Sequence, residues 1–140
     1  MRGRYGDRDR REAAERLKSE QVIWLTTVKA DGTPVPTPVW FYWHEEGMLV
    51  ITQPDSHKVR NIAANPKVAL NFNTDVYGGS VAVFTGEAHL DPQPIRQAEM
   101  AAYLDKYREG IKMIGLTEEQ MVREYSTVLR VRLTRVRAME

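Results

Sequence analysis

The stretch VIWLTTVKADGTPVPTPVWFYW, Val22 to Trp43, predicts a β-hairpin. Residues 21–30 supply the first arm, and Asp31-Gly32 is a dipeptide typical of hairpin turns. The second arm carries prolines at positions 34, 36 and 38, so the N–H groups that they lack all fall on one edge of the strand. We therefore expect the first half of this strand to be unpaired on one side.

Downstream of the hairpin, the chain continues in short β-type segments. Further strands are predicted over residues 48–53, 67–73, 80–91 and 127–137, and Gly86 predicts a bulge in the third of these. With the two arms of the hairpin, this makes six strands. Short strands joined by hairpin turns predict a mostly β (α+β) fold, an antiparallel barrel with helical cover.

Helical spacing of apolar residues marks the flanking segments. We predict an N-terminal helix over residues 10–19 and a short helix over residues 57–65 with Ser56 as its cap. A longer helix is expected to begin at Asp91-Pro92 and to close at Gly110, and a last one, over residues 118–126, opens with a capping box. Residues 1–9 are expected to be flexible, and residues 1–140 to form a single domain.

Composition excludes several classes of site. The chain has 140 residues and no cysteine, which excludes disulfides, zinc–thiolate sites and a cysteine nucleophile. A net charge of +1 argues against a dedicated nucleic-acid binder.

No stretch is long and apolar enough to cross a bilayer, and the N-terminus has no apolar region of the signal-peptide type. We expect a cytoplasmic protein without a metal site, since the three histidines are scattered and no metal-binding motif is present.

The segment Val39 to Trp43 is apolar on both faces of its predicted strand. Val39, Phe41 and Trp43 point to one face, and Trp40 and Tyr42 point to the other. The second face therefore needs cover, which a helix, a ligand or another subunit can supply. A homodimer with two-fold symmetry is the simplest solution, and cover by the chain's own helices is the alternative.

Cations and amide donors gather at the entrance of the short helix in PDSHKVRNIAANP, Pro54 to Pro66. A helix N-terminus favours anions, and Lys58 and Arg60 repel each other there unless a negative ligand is bound. A phosphate would relieve that repulsion, with Ser56 and Asn61 completing the ring of donors. The alternative is a solvated basic face of the helix.

Neighbouring strands extend this candidate site. If the strands are adjacent, Thr37 and Thr52 cluster with the helix entrance at one end of the barrel, beside the edge that the prolines leave unpaired. A flat heteroaromatic ring can take hydrogen bonds from that edge and stack on Trp40 or on an aromatic side chain of a partner subunit. Phosphate at the helix and a ring along the strand describe a flavin-like ligand.

At this point the chain resembles the pyridoxamine-phosphate-oxidase-like split-barrel superfamily. The resemblance covers about residues 20–91 and rests on the DG-x-P hairpin, the T-P-V-W-F strand and S-x-K-x-x-N at the helix. It is most similar to the flavin/deazaflavin oxidoreductases of the B-type branch from actinobacteria, which use coenzyme F420. The arginine-rich signature of members that oxidise pyridoxamine phosphate is not found here, which argues against that activity.

The resemblance implies a six-stranded split β-barrel, an obligate homodimer and two cofactor sites at the dimer interface. It implies that Lys58 and Arg60 hold the cofactor phosphate, with Asn61 in support. It also implies that Thr52 and Gln53 lie near the phosphate or the ribityl chain. The residues expected along the ring system are Thr37, Pro38, Val39 and Trp40.

Two functions remain open at this stage. The first is a reductase that transfers a hydride between reduced F420, or alternatively FMN, and an unsaturated small molecule. The second is a non-catalytic carrier for FMN, F420 or a tetrapyrrole. The catalytic residues are unknown, because nothing in the sequence selects a proton donor among Tyr42, His44 and Tyr77. The substrate pocket is expected from loops around Tyr77 and from helices of the partner subunit.

Four arginines lie on the last predicted strand, at positions 130, 132, 135 and 137. One interpretation is a charged sheet edge that discourages pairing with other chains. The other is a docking surface for the acidic oligoglutamate tail of F420.

Overall fold

The computed structural model describes residues 2–3 and 7–139, with side chains from Arg8 to Ala138. The strands are β1 (Arg2–Gly3), β2 (Ile23–Val28), β3 (Pro34–Val39), β4 (Tyr42–His44), β5 (Gly47–Thr52), β6 (Lys67–Asn71), β7 (Val81–Asp91) and β8 (Thr127–Met139). The helices are α1 (Asp7–Ser19), α2 (His57–Ala64), α3 (Gln97–Met113) and α4 (Glu118–Glu124).

The predicted hairpin forms between β2 and β3. Its loop is closed by a hydrogen bond of 2.9 Å from the Lys29 N–H to the Thr33 carbonyl oxygen. Gly32 has a φ of 89°, in the left-handed region that favours glycine. Asp31 accepts a 3.0 Å hydrogen bond from the Thr33 N–H, which fixes the turn. The Asp-Gly signal therefore located the turn correctly.

The strands form one curled sheet in the order β3-β2-β6-β7-β8-β5-β4, with β1 added in parallel to β8. All other pairings are antiparallel. This is the antiparallel split-barrel arrangement with flanking helices that was expected. The predicted bulge also forms, because the register of β7 against β8 shifts between Thr85 and Gly86.

The predicted second strand is broken, which raises the strand count above six. β3 and β4 lie at opposite ends of the strand order, so the chain passes from one edge of the sheet to the other between Val39 and Tyr42. The backbone of Phe41 is bonded to side chains of α3 instead of a strand: its N–H donates to the Tyr107 hydroxyl at 2.8 Å, and its carbonyl accepts from Lys106 Nζ at 2.8 Å. The barrel is therefore split at this point.

Two clusters of buried side chains form the core. One lies inside the barrel and includes Val39 and Phe41, with Trp43 packed against it. The other lies between the sheet and helices α3 and α4, with Trp40 and Tyr42 packed against it. The predicted alternation of this segment is thus confirmed. Its second face is contacted by the chain's own helices, which was the alternative, and cover by a second subunit stays a prediction.

Helix boundaries depart from the sequence pattern at three places. α1 begins at Asp7, ahead of the predicted start at residue 10, and the predicted flexibility of residues 1–9 falls partly on residues 1 and 4–6, outside the described residues. α3 begins at Gln97 and not at Pro92, because a second proline at position 94 disfavours helical backbone before it. α3 also continues past Gly110 to Met113.

The predicted caps had different outcomes. The capping box of α4 is present, with the Gln120 N–H donating to the Thr117 hydroxyl at 3.1 Å and the Thr117 N–H donating to Gln120 Oε1 at 2.8 Å. Ser56 occupies the N-cap position of α2, but its side chain makes no capping hydrogen bond. Its hydroxyl instead accepts a hydrogen bond of 3.3 Å from Thr52 Oγ1.

Candidate cofactor site

A cavity of about 280 Å³ lies where the split in the barrel meets the helices. Its lining residues are Pro38, Val39, Trp40, Ile51, Thr52, Lys58, Tyr103, Ile114, Met121 and Tyr125. Half of the ten predicted site residues belong to this set, namely Pro38, Val39, Trp40, Thr52 and Lys58. A larger cavity, of about 570 Å³, lies between α1 and the β4–β5 turn and contains none of the predicted residues.

The sheet topology brings these residues together. β5 pairs with β4, and β4 follows β3 directly through Trp40, so the end of β5 lies close to the end of β3. Thr52 is the last residue of β5 and is 3% exposed. The chain turns after Thr52 and enters α2, which places Lys58 in the first turn of that helix at the cavity wall.

Lys58 is the electrostatic centre of the site. It is half-buried, and burial lowers the pKa of its ammonium group. Within residues 8–138 no carboxylate or other polar group pairs with it, and the first turn of α2 carries no acidic residue. A half-buried cation without a counter-ion lacks part of the solvation that water would provide, so an anionic group in the cavity would stabilise it.

Arg60 is directed away from Lys58. Its Nη1 donates to the Asp55 carbonyl oxygen at 3.0 Å, and its Nη2 donates to His57 Nδ1 at 2.9 Å. Residues two apart on a helix do not share a face, so Lys58 and Arg60 point to different sides of α2. The role of Arg60 as a phosphate ligand stays a prediction, and it would require this exposed side chain to leave its two partners.

Four more predicted residues lie near the cavity without lining it. Asn61 Nδ2 donates to Thr27 Oγ1 at 3.0 Å, which ties α2 to the barrel strand β2. Thr37 is half-buried on β3, Gln53 is exposed after β5, and Ser56 is engaged with Thr52. Their roles toward a cofactor stay predictions.

The outer edge of β3 is a row of hydrogen-bond acceptors. Val35 and Thr37 pair with Thr27 and Leu25 of β2, and they supply the N–H groups of that ladder because the prolines between them have none. Alternate residues direct their backbone groups to opposite sides, so the proline carbonyl oxygens face the open edge. The edge can therefore accept hydrogen bonds but cannot donate them, in contrast to the expectation that it would donate to a ring.

Helix α3 holds Trp40 against the cavity. The Trp40 and Tyr107 rings are stacked, with centroids 4.5 Å apart and an interplanar angle of 3°. Gly110 leaves the space for this contact, because a Cβ there would lie 3.1 Å from the Trp40 ring. The Tyr107 hydroxyl also donates to the Gln21 carbonyl oxygen at 2.6 Å. The helix backbone is kinked at Tyr107, where φ is −108° and ψ is 15°.

The helical half of the cavity wall was not predicted from the sequence. Tyr103, Ile114, Met121 and Tyr125 come from α3, α4 and their flanking turns. The available signal was the second apolar face of the β3–β4 segment, for which a helix of this chain was one of the covers considered. Tyr77, around which the substrate pocket was expected, is 96% exposed and does not line this cavity.

The arginines of β8 do not lie on an edge strand of the sheet, and two of them are paired with carboxylates. β8 lies between β7 and β5, so the interpretation as edge protection was wrong. Arg130 donates to both carboxylate oxygens of Glu99 and, at 3.1 Å, to Asp91. These bonds, with a further one from Arg96, hold the pKa of the Glu99 carboxyl well below its usual range. Arg132 is paired with Glu87.

Within the described chain, residues 2–3 and 7–139, no group of three or more His, Cys, Asp or Glu side chains is placed to hold a metal ion. The helices of the same ranges include none with the length and apolar character that spanning a membrane requires.

Comparison with known proteins identifies the family of the chain. Residues 10–140 match the family described as pyridoxamine 5'-phosphate oxidase. Among curated proteins, none matches the chain significantly. A solved structure described as an F420 reductase is 26% identical, with a TM-score of 0.66, covering 87% of this chain and 93% of its own.

Two further solved structures share the fold at lower identity. A FAD-binding protein from Mesorhizobium loti is 17% identical with a TM-score of 0.69, covering 89% of each chain. The heme storage protein HutZ from Vibrio cholerae is 20% identical with a TM-score of 0.59, covering 100% of this chain and 92% of its own. The family match spans nearly the whole sequence and agrees with the split barrel. The chain therefore belongs to the pyridoxamine 5'-phosphate oxidase family.

Proposed function

We propose that the protein is an oxidoreductase that binds F420, or alternatively FMN, and transfers a hydride between the reduced deazaflavin and an unsaturated small molecule. The observation that carries this proposal is Lys58, a half-buried cation without a partner at the wall of a cavity. The cofactor phosphate would supply the missing negative charge. The 26% identity to a protein described as an F420 reductase supports the choice of cofactor.

The residues present fit a phosphate-bearing ring cofactor. Lys58 and the N–H groups at the start of α2 suit the phosphate. The acceptor edge of β3 suits the imide N–H of a flavin or deazaflavin ring, and Trp40 offers an aromatic wall. Ile51 and Met121 line the same cavity and are 5% and 2% exposed, so they can exclude water from the ring.

When bound, a deazaflavin supplies two-electron hydride chemistry. The chain's own residues then have the tasks of binding, orienting and shielding that group. The titratable side chains of the cavity wall are Lys58, Tyr103 and Tyr125. Burial raises the pKa of Tyr103, which keeps it protonated and prevents it from acting as a base near neutral pH. We therefore assign no catalytic acid or base.

That same lack of a base in the cavity wall favours the second candidate, a carrier that binds FMN, F420 or a tetrapyrrole without turnover. Oxidation of reduced F420 in the presence of a panel of activated alkenes and quinones separates the two functions. Turnover by the wild-type protein supports the reductase. Tight binding of any of these ligands, together with no oxidation above the buffer rate, supports the carrier.

We also propose a homodimer in which this cavity lies near the interface. Met113 ends α3 and is 85% exposed, and Ile114 follows it, lines the cavity and is 52% exposed; a second copy would cover both side chains. Sedimentation of the purified protein measures its mass in solution. A monomer over the whole concentration range would contradict this part of the proposal.

Fluorescence titration with F420 and with FMN tests the cofactor site. Replacing Lys58 with Ala removes one charged hydrogen bond, worth about 1.5–3 kcal/mol, so the affinity is expected to fall roughly tenfold to a hundredfold. Lys67→Ala is the matched control, because Lys67 is exposed and lies outside the cavity. Failure of both cofactors to bind at tens of micromolar, or equal affinity in both variants, would refute the proposal.

A further inference from the structure

Tyr103 carries a hydroxyl group that has no hydrogen-bond partner among the described side chains and backbone. It lies on α3, is 1% exposed and forms part of the wall of the 280 Å³ cavity. Within residues 8–138, no donor or acceptor is hydrogen-bonded to this hydroxyl. The oxygen is not among the fully sealed atoms of the described side chains, and the Tyr103 side chain lines the cavity.

Its neighbour on the helix shows that the fold can satisfy such a group. Tyr107 lies one turn later, with its ring centroid 4.9 Å from that of Tyr103. The Tyr107 hydroxyl accepts from the Phe41 N–H at 2.8 Å and donates to the Gln21 carbonyl oxygen at 2.6 Å. Buried hydroxyl groups in folded proteins nearly always have partners of this kind. The exception at Tyr103 therefore indicates a partner that enters the cavity.

We propose that Tyr103 is a ligand-binding residue that donates a hydrogen bond to an acceptor oxygen on the ring held in the cavity. The choice of a flavin or deazaflavin ring rests on the proposed function. Both ring systems carry carbonyl oxygens on their pyrimidine portion, which are acceptors of the required kind.

The electrostatic setting keeps Tyr103 in the donor state. Burial, together with the neighbouring Tyr107 and Tyr125, raises the pKa of its phenol. The group is therefore protonated across the physiological pH range and can donate. A buried donor also discriminates strongly, because a ring without a carbonyl at that position leaves the hydroxyl unpaired.

The acceptor edge of β3 complements this donor. Pro38 lies on that edge and lines the same cavity as Tyr103. A ring edge that alternates C=O and N–H groups can use both the tyrosine donor and the proline carbonyls. This pattern defines the ligand class as cyclic imides or ureides fused to an aromatic system.

Tyr103→Phe tests the inference, because it removes the hydroxyl and leaves the ring in place. The probe is lumiflavin, a flavin ring without a phosphate tail, whose binding is followed by its fluorescence. One neutral hydrogen bond corresponds to a loss of about five- to tenfold in affinity. Tyr77→Phe is the matched control, since Tyr77 is 96% exposed and lies outside the cavity.

The inference is supported if lumiflavin binds the wild-type protein and Tyr77→Phe with equal affinity and binds Tyr103→Phe five- to tenfold more weakly. Equal affinity in all three proteins, or no binding to the wild type, overturns it. Far-UV circular dichroism establishes that Tyr103→Phe is folded. If that variant does not fold, p-aminophenylalanine at position 103 replaces it, because its amino group restores a donor. Affinity well below that of the wild type in this second variant would also overturn the inference.

Different results would contradict the proposed cofactor and the proposed role of Tyr103. If lumiflavin behaves as expected but F420 and FMN bind no more tightly than lumiflavin, the phosphate-bearing cofactor is wrong and the assignment of Tyr103 stands. If F420 or FMN binds through Lys58 but lumiflavin has the same affinity for Tyr103→Phe as for the wild type, the cofactor stands and the assignment of Tyr103 is wrong.

Discussion

Replacing Tyr107 with Phe removes one hydroxyl group from the point where the barrel is split. That hydroxyl accepts a 2.8 Å hydrogen bond from the Phe41 N–H and lies 2.6 Å and 2.9 Å from the carbonyl oxygens of Gln21 and Phe41. It has a single hydrogen, which the shorter contact assigns to Gln21. The Phe41 carbonyl keeps the hydrogen bond from Lys106 Nζ at 2.8 Å, so the substitution removes two hydrogen bonds.

The expected cost follows from those two bonds and their burial. The hydrogen bond to Gln21 contributes about 1 kcal/mol, and leaving the buried Phe41 N–H without a partner costs about 1–3 kcal/mol. Phe41 is 0% exposed, so its N–H has no access to water after the change. The phenylalanine ring retains the stacking on Trp40. We therefore expect the free energy of unfolding to fall by about 2–4 kcal/mol.

Urea denaturation at fixed protein concentration measures this loss. The midpoint should shift to lower urea with an unchanged slope, because the buried area is the same. Tyr103→Phe is the control and should unfold within about 0.5 kcal/mol of the wild type, since its hydroxyl has no partner in the chain. A loss below about 0.5 kcal/mol for Tyr107→Phe would show that the hydroxyl does not hold the split together.

Two further predictions concern the sheet and its charges. Gly86→Ala places a Cβ against the backbone carbonyl oxygen of Arg132 at the bulge, so we expect it to lower the free energy of unfolding by about 3 kcal/mol. Gly47→Ala is the control and should leave the stability unchanged, because the nearest atom to its Cβ is 3.6 Å away. Equal unfolding midpoints for the two variants would contradict this prediction. The pKa of Glu99 is lowered by Arg130, so its stabilising contribution is fully present above its ordinary value of 4.5 and is lost as the pH falls below it. Glu99→Gln should therefore have a lower free energy of unfolding than the wild type at pH 7, and this free energy should fall less between pH 7 and pH 3 than it does in the wild type. Denaturation of both proteins across that pH range measures the difference. If the two stability–pH curves were parallel, the role of this carboxylate would be refuted.

The local elements could be predicted because short-range physics determines them. The Asp-Gly turn, the alternate prolines of β3 and the alternation from Val39 to Trp43 each follow from turn geometry, the missing proline N–H groups and the period of two in a strand. The position of Lys58 in the first turn of a helix was also predicted from the sequence, and the structure has it there, at the cavity wall; its role toward a phosphate stays a prediction.

The closure of the barrel and the walls of the cavity were decided by the tertiary structure. The strand breaks at Trp40 and Phe41 because side chains of α3 form hydrogen bonds with the Phe41 backbone. These side chains are distant in sequence, since Tyr107 lies 66 residues after Phe41. The sequence alone determined the hairpin turn and the alternation of buried faces, since both depend on near neighbours. Packing decided which helix contacts the aromatic face and which tyrosine lines the cavity, because contacts between distant segments are set only when the chain is folded.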